Sequence, residues 1–326
     1  MKFSRIPLAH LPTRIEHLGR LSNVLSGPQI YCKRDDQTGL GFGGNKTRKL
    51  EYLLADAIQH NARTLVSMGA IQSNHCRQVA AVAARAGLDC ILVLSGTPPT
   101  LATGNLYLDQ LFGAELVWAE RETRQQVLEE TVRRAEEMGR APYMIPYGGS
   151  NVVGMLGYFD AMRELREDEE RLGLRFDWHV TASSSGGTQA GMVLGALAWQ
   201  YSGKILGIAI EGSAEELGAT VENLVQEAIT VNNLDLPFDQ SLVIINENFT
   251  GAGYGVMGEP EIEAIRMFAS LEGLLLDPVY TGRAAAGLIQ LVRDGFFRKD
   301  DKVLFWHTGG TPALFAEPYL SKLQNR

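Results

Sequence analysis

Nine short β-branched or apolar runs recur along this chain, separated by longer segments of helical character, and that alternation limits the fold more than any other feature. The runs are Gln29–Lys33, Thr64–Met68, Asp89–Leu94, Glu115–Trp118, Tyr143–Ile145, Trp178–Thr181, Lys204–Ile210, Leu242–Ile245 and Lys302–Trp306. Helices are expected over Arg48–Gln59, Asn74–Ala86, Arg124–Met138, Val152–Arg163, Gly187–Ala198, Pro260–Leu271 and Ala284–Arg293. Repeated β-then-α order is the signature of parallel sheets covered by helices on both faces, an α/β class. In open sheets of that kind ligands sit beyond the carboxyl ends of strands, so residues just after the strands should carry the chemistry. The 326 residues suggest about two domains. No long Pro/Ser linker divides them, and the acidic stretch Glu164 to Arg175 is the best compositional break.

Composition removes several function classes. With 45% hydrophobic and 21% charged residues, a sizeable core can form and general disorder is not expected. A net charge of -8 argues against a basic nucleic-acid surface. The three cysteines, Cys32, Cys76 and Cys90, are odd in number and form no CxxC pair, so a reducing cytoplasm fits better than a disulfide scaffold or a Cys-rich zinc site. Residues 1 to 20 show no secretory pattern. The charge-free run His179 to Gly203 is too rich in Ser, Thr, Gln and Gly to read as a membrane span. None of the six histidines forms HxH or HExxH, so no metal is expected. No GxSxG elbow is present, and the charged segment Arg124–Met138 reads as a solvated surface helix.

The first glycine cluster, Gly39-Leu40-Gly41-Phe42-Gly43-Gly44-Asn45-Lys46, contains a formal GxGxxG. The polar insertion Arg34–Thr38 separates it from the preceding strand, and the next strand ends in Met-Gly-Ala rather than in an acid for a ribose, which disfavours a nicotinamide dehydrogenase. Asn45 also spoils a Walker A loop. What remains is a lysine at a helix start after a flexible turn. An ammonium there is disfavoured electrostatically, so its pKa should fall and its amine could form a Schiff base.

The second cluster, Ser183-Ser184-Ser185-Gly186-Gly187-Thr188-Gln189-Ala190-Gly191, follows a strand and opens a helix. Its backbone amides and hydroxyls form a natural cradle for a phosphate dianion, with no lysine or arginine within it. A third cluster, Gly69-Ala70-Ile71-Gln72-Ser73-Asn74-His75, also lies between strand and helix. Ser73 reads first as an N-cap, and alternatively as a hydroxyl beside a reacting carbon with Asn74 donating to a ring oxygen. Asp277-Pro278-Val279-Tyr280-Thr281-Gly282, His307-Thr308-Gly309-Gly310-Thr311 and Gly253-Tyr254-Gly255 would each read alone as ordinary turns. The residues themselves therefore point to a phosphate-bearing cofactor, an amine able to bind an aldehyde, and hydroxyls near both.

Taken in order, Gly43 to Tyr52, Gln72-Ser73-Asn74, Gly186 to Gly191, Asp277 to Tyr280 and His307 to Gly310 resemble the D-cysteine desulfhydrase and 1-aminocyclopropane-1-carboxylate (ACC) deaminase family. The resemblance runs from about Arg5 to Phe315. It implies a tryptophan-synthase β-like fold, with two open, twisted, mostly parallel sheets and pyridoxal 5'-phosphate between the domains. It implies a large domain of residues 1–49 and 159–326 with a small domain, 50–158, inserted. It further implies that Lys46, with Asn45 beside it, holds the cofactor aldehyde as an imine, that Asn74 meets its phenolic oxygen, and that Ser185, Gly186, Gly187 and Thr188 hold its phosphate. Ser73, Gln72, Asn74, Tyr254 and Tyr280 would face the substrate, and Lys46, Ser73 and Tyr280 are the candidates for taking the α-proton, in that order. A cytoplasmic homodimer acting on a small amino acid is also implied.

Two positions separate activities within that resemblance. ACC deaminases place Glu after the tyrosine of DPVY and Leu after the histidine of HxGG, where this chain has Thr281 and Thr308. A carboxylate near the pyridine nitrogen strengthens the electron sink, which opening a cyclopropane without an α-hydrogen requires. Eliminating a thiolate requires less, so the expectation is β-elimination from D-cysteine. ACC deamination, L-cysteate desulfonation and cofactor binding without turnover are the alternatives.

Overall fold

The computed structural model describes residues 4–324. Among these described residues, ten strands form two sheets. The larger contains β1 (Ile15–His17), β2 (Gln29–Lys33), β7 (Trp178–Ser183), β8 (Lys204–Ala209), β9 (Ile244–Asn246) and β10 (Lys302–Trp306), in the order β1-β2-β10-β7-β8-β9. Every pair in it is parallel except β1 with β2. The smaller, all parallel, runs β5-β4-β3-β6 and is built from β3 (Thr64–Ala70), β4 (Asp89–Ser95), β5 (Glu115–Ala119) and β6 (Pro142–Met144).

The helices covering these sheets are α1 (Gly19–Leu25), α2 (Asn45–Gln59), α3 (Asn74–Ala86), α4 (Gly104–Leu111), α5 (Arg124–Glu137), α6 (Leu156–Leu172), α7 (Gly187–Ala198), α8 (Ala214–Asn232), α9 (Glu259–Met267), α10 (Thr281–Arg293) and α11 (Tyr319–Gln324). One apolar cluster runs from the small sheet (Leu65, Leu92) through α2, α3, α6 and α7 to the large one (Ile205, Leu304). Full burial of such side chains stabilises by about 1.5–3 kcal/mol each. That shared core fixes the carboxyl ends of the two sheets against each other.

The expected elements recur, with informative differences. Helix α2 starts at Asn45 rather than Arg48, so Lys46 lies inside the helix and not on the turn before it. The run Leu242–Ile245 is split: Gln240–Leu242 is a 3-10 turn and only Ile244–Asn246 pairs with β8. Helix α9 ends at Met267 and a π turn, Phe268–Glu272, replaces the rest of the expected helix. The nineteen-residue α8 was not expected, because its β-branched residues and Gly218 hide the period. Its readable signal is a capping box, Ser213 with Glu216.

The acidic stretch is not a boundary. Residues 164–172 continue α6, where Glu164, Asp168 and Glu169 face inward. Glu164 bonds to Arg48 at 2.9 Å and to Lys33 at 2.7 Å, while Asp168 also meets Lys33 at 2.7 Å. These acids neutralise buried cations from β2 and α2, so their density reflects a structural ion network rather than a solvated linker.

Candidate active site

Between the carboxyl ends of the two sheets lies a pocket lined by Asn45, Lys46, Ser73, Asn74, Ser185, Gly186, Thr188, Tyr280 and Thr308. Two backbone contacts bring its walls together. Asn45 N–H donates to the Thr308 carbonyl at 3.0 Å, and a Cβ on Gly309 would lie 2.7 Å from Gly44 Cα. Gly44 (φ +120) and Gly309 (φ +89) also hold conformations that favour glycine. The first glycine turn is therefore packed, not flexible: Arg77 donates to the Gly43 carbonyl at 2.8 Å and Gly44 N–H donates to Thr38 Oγ1 at 2.7 Å.

The Lys46 amine is enclosed by protein, although the side chain keeps some surface towards the pocket. Burial pulls it down to about 8, opposed by a hydrogen bond with Lys49. The fall agrees with the sequence reading, but desolvation is the cause rather than the helix N-terminus. Lys49, which the sequence reading missed, is fully buried and pulled well down by burial and then by the Lys46 charge. The two amines therefore titrate as a pair. A second lysine at i,i+3, facing the same way as the first, was the available signal.

Ser73 shows that its two readings coexist. Its Oγ accepts from Cys76 N–H at 3.2 Å as the N-cap of α3, and the residue also lines the pocket. Asn74 Oδ1 accepts from Asn105 at 2.9 Å and Arg77 at 3.4 Å, and one amide N–H reaches Asp277 at 3.4 Å. The other N–H remains for a ligand. Asn45 donates to Thr188 Oγ1 at 3.0 Å.

Gln72 lies behind this wall, holding Thr103 and Asn105. Tyr254 is also set back, its hydroxyl 2.7 Å from that of Tyr280. Thr281 departs most from expectation. Its hydroxyl donates to Asp277 Oδ1 at 2.8 Å and accepts from Asp277 N–H at 2.7 Å, and it does not line the pocket. Of the two discriminating threonines, only Thr308 faces the site.

The anion cradle has more parts than expected. Gly187 opens α7, and Ser150 Oγ lies 2.8 Å from Ser185 Oγ. A Cβ on Gly148 would lie 2.3 Å from Ser185 Oγ, and one on Gly187 would lie 2.5 Å from Ser150 Oγ. Lys49 Nζ donates to Ser150 Oγ at 3.1 Å and to the Gly148 carbonyl at 3.2 Å, which brings an amine behind the hydroxyls. Ser183 Oγ is buried without a partner. His75 and Tyr147 complete the lining, and neither was singled out from sequence. His75 is held well below its usual value by burial and then by the two lysines, so it is neutral here.

A helix N-terminus with converging hydroxyls at one end, an amine of lowered basicity in the middle and an amide donor beside it fit a phosphorylated pyridine aldehyde. Among the described residues no group of His, Cys, Asp or Glu could hold a metal ion, and no helix is long and apolar enough to cross a membrane.

Comparison with known proteins agrees with this geometry. The model of the pyridoxal-phosphate dependent enzyme family matches residues 6–309. A D-cysteine desulfhydrase of Klebsiella pneumoniae (strain 342) is 41% identical over 98% of both chains. The crystal structure of an ACC deaminase homologue superposes with a TM-score of 0.90 at 37% identity, covering 99% of this chain and 96% of that one. A pyridoxal 5'-phosphate-dependent aspartate racemase, at 20% identity and a TM-score of 0.65 over 91% of this chain and 90% of its own, shares the fold.

Proposed function

The chain belongs to the pyridoxal-phosphate dependent enzyme family, and from that premise we propose that it is a lyase acting on D-cysteine, with water, to give pyruvate, hydrogen sulfide and ammonia. The observation that carries this reading is the absence of any carboxylate from the pocket lining among the described residues, with Thr308 part of that lining. A hydroxyl there suits a thiolate elimination, whereas a cyclopropane opening calls for the stronger electron sink that a carboxylate would enforce. With Thr281 committed to Asp277, that distinction rests on Thr308 alone. The full-length similarity to a D-cysteine desulfhydrase supports the same choice.

Lys46 is the residue to hold the cofactor aldehyde, Asn74 its phenolic oxygen, and Ser185, Gly186, Gly187 and Thr188 its phosphate, with Lys49 and Ser150 behind them. Bound there, pyridoxal phosphate supplies a conjugated electron sink at the substrate's α-carbon. Everything else falls to the chain. Ser73 and the first turn of α3 receive the substrate carboxylate, as an anion at a helix N-terminus. Lys46, its basicity lowered by burial, is the residue assigned to take the proton from the α-carbon. Ser73 and Tyr280 stand next in reach. Tyr280, bonded to Tyr254, lies on the side where the sulfur departs. We also place the enzyme in the cytoplasm as a homodimer, with residues 50–158 as the small domain; the small sheet lies wholly inside that segment.

The deciding experiment compares pyruvate release from D-cysteine, L-cysteine, D-serine and L-cysteate with 2-oxobutanoate release from ACC. Fastest turnover is expected on D-cysteine. Activity on ACC alone would overturn the reading and leave the fold intact.

A further inference from the structure

The segment leaving β5 meets both sides of the site. On its own side, the Arg124 guanidinium carbon lies 4.9 Å from the ring centroid of Tyr147, a residue that lines the pocket and packs against the apolar cluster of the small sheet. Three residues earlier, Arg121 contacts the large-sheet side instead. Its Nη2 donates to Glu211 Oε2 at 2.5 Å, and its guanidinium carbon lies 5.8 Å from the ring centroid of Tyr254. The Tyr254 hydroxyl is in turn 2.7 Å from that of Tyr280, which lines the pocket. Arg121 follows β5 and Glu211 follows β8, so the pair joins the carboxyl ends of the two sheets, where the pocket lies. Among the described residues no other ion pair links a loop after a strand of the small sheet to a loop after a strand of the large one. Arg121 is 55% exposed and Glu211 30%, and an ion pair so placed contributes little to folding. Its purpose is better sought in the opening that it spans.

We propose that Arg121 and Glu211 form a strap over the sulfur side of the pocket and limit the size of the group that the substrate's β-carbon can carry. Closed, the bridge holds the β5 loop against Tyr254, behind the Tyr254–Tyr280 hydroxyl pair. A substrate of the size of D-cysteine lets the bridge re-form behind it. A substituent on sulfur extends past the two tyrosines and keeps the bridge apart, so the bound state forfeits what the bridge contributes. Arg121 and Glu211 are then specificity-determining residues that touch no reacting atom. The weakness of an exposed pair suits this task, because the strap must open whenever a substrate enters.

This inference rests on the elimination reading, in which sulfur lies towards Tyr280. The test compares pyruvate release from S-ethyl-D-cysteine and D-cysteine in Arg121→Gln, in Glu211→Gln, and in the exchanged pair Arg121→Glu with Glu211→Arg. Each glutamine variant should raise the kcat/KM ratio of the bulkier to the smaller substrate by about two- to fivefold, the reach of an exposed ion pair. The exchanged pair should return the ratio to its wild-type value. Wild type in about 1 M salt, which screens such a bridge, should approach the glutamine variants. An unchanged ratio, opposite shifts in the two glutamine variants, no restoration by the exchange, or indifference of the wild type to salt would each overturn the strap. So would inactivity of every protein on the bulkier substrate, since something other than the bridge would then set the limit. Failure of the wild type to release pyruvate from D-cysteine would instead refute the substrate reading. The strap would then be read from the rate at which cofactor-free protein captures pyridoxal phosphate, which enters by the same mouth. Both glutamine variants should capture it faster and the exchanged pair at the wild-type rate. Opposite shifts there, as steering of an anion by single charges would give, would again overturn the strap.

Discussion

Helix α2 places three cations within four residues and buries them in two different surroundings. Arg48 is 2% exposed and fully met: it bonds to Asp35 and Glu164 at 2.9 Å and to Thr13 at 3.0 Å. Lys46 and Lys49, on a neighbouring face and about 160° and 100° away from Arg48 around the helix, meet each other and neutral oxygens but no carboxylate. On one side burial is offset by opposite charge, so the guanidinium stays charged and ties α2 to β2 and α6. On the other it is not offset, so the amines lose basicity. The same helix therefore spends one cation on holding the fold and two on chemistry, and only the presence of acids distinguishes them.

The largest expected effect follows from removing the uncompensated side. Lys46→Ala should reduce turnover on the order of 10³-fold or more and abolish the imine absorbance that pyridoxal phosphate gives the wild type. Folding should survive, because charging a buried amine opposes it. Lys46→Met should accordingly raise the melting temperature of the cofactor-free protein at pH 7. A yellow imine persisting in the alanine variant would remove Lys46 from its assigned role. Arg48→Met tests the opposite side. It leaves Asp35 and Glu164 buried without their partner, at a cost of about 3–5 kcal/mol, readable by urea unfolding. Any protein that remains folded should still bind the cofactor.

This contrast also marks what could be read in the sequence. The alternation of strands and helices, the Asn45-Lys46 pair and the Ser185–Thr188 turn are local patterns, and Asn45, Lys46, Ser185, Gly186 and Thr188 line the pocket. Arg48, Lys49 and Glu164 lie just as close to motifs, yet their roles depend on partners that include residues about a hundred positions away. Lys49, for example, meets Gly148 and Ser150, and nothing in its own neighbourhood announces that. The acidic stretch misled for the same reason: charge density marks solvent only when the counter-charges are not buried elsewhere. Tyr147 carries no sequence signal, and it becomes visible only when the chain leaving β6 brings it to the pocket wall.

Acid separates the two faces in a third way. Burial alone would raise Glu164, but Arg48 and then Lys33 outweigh it and hold the carboxyl at about 2. A carboxylate lowered on folding gives stability that is complete above its unfolded value near 4.3 and is lost as pH falls through that range to about 2. The loss should reach about 3 kcal/mol and should be blunted in Glu164→Gln, which starts out less stable. Acid unfolding curves that superpose for the two proteins would deny the network this role.

The smallest effect bears on how the lysine pair shares its proton. The hydrogen bond that the Lys46 ammonium donates to the Lys49 amine raises Lys46 against the pull of burial. Replacing Lys49 with Met should therefore lower Lys46 further, and its amine should be neutral at a lower pH. The cofactor-free protein offers the direct readout, because pyridoxal phosphate is captured by the neutral amine and the rate of imine formation follows its titration. Wild type should show a midpoint near 8. Lys49→Met should move it down by less than about one unit, a gain of under tenfold in rate at pH 7, even as loss of the hydrogen-bonding amine behind Ser150 weakens final affinity. An upward shift would mean that Lys49 carries the charge and Lys46 stands neutral beside it, reversing the assignment of the proton within the pair.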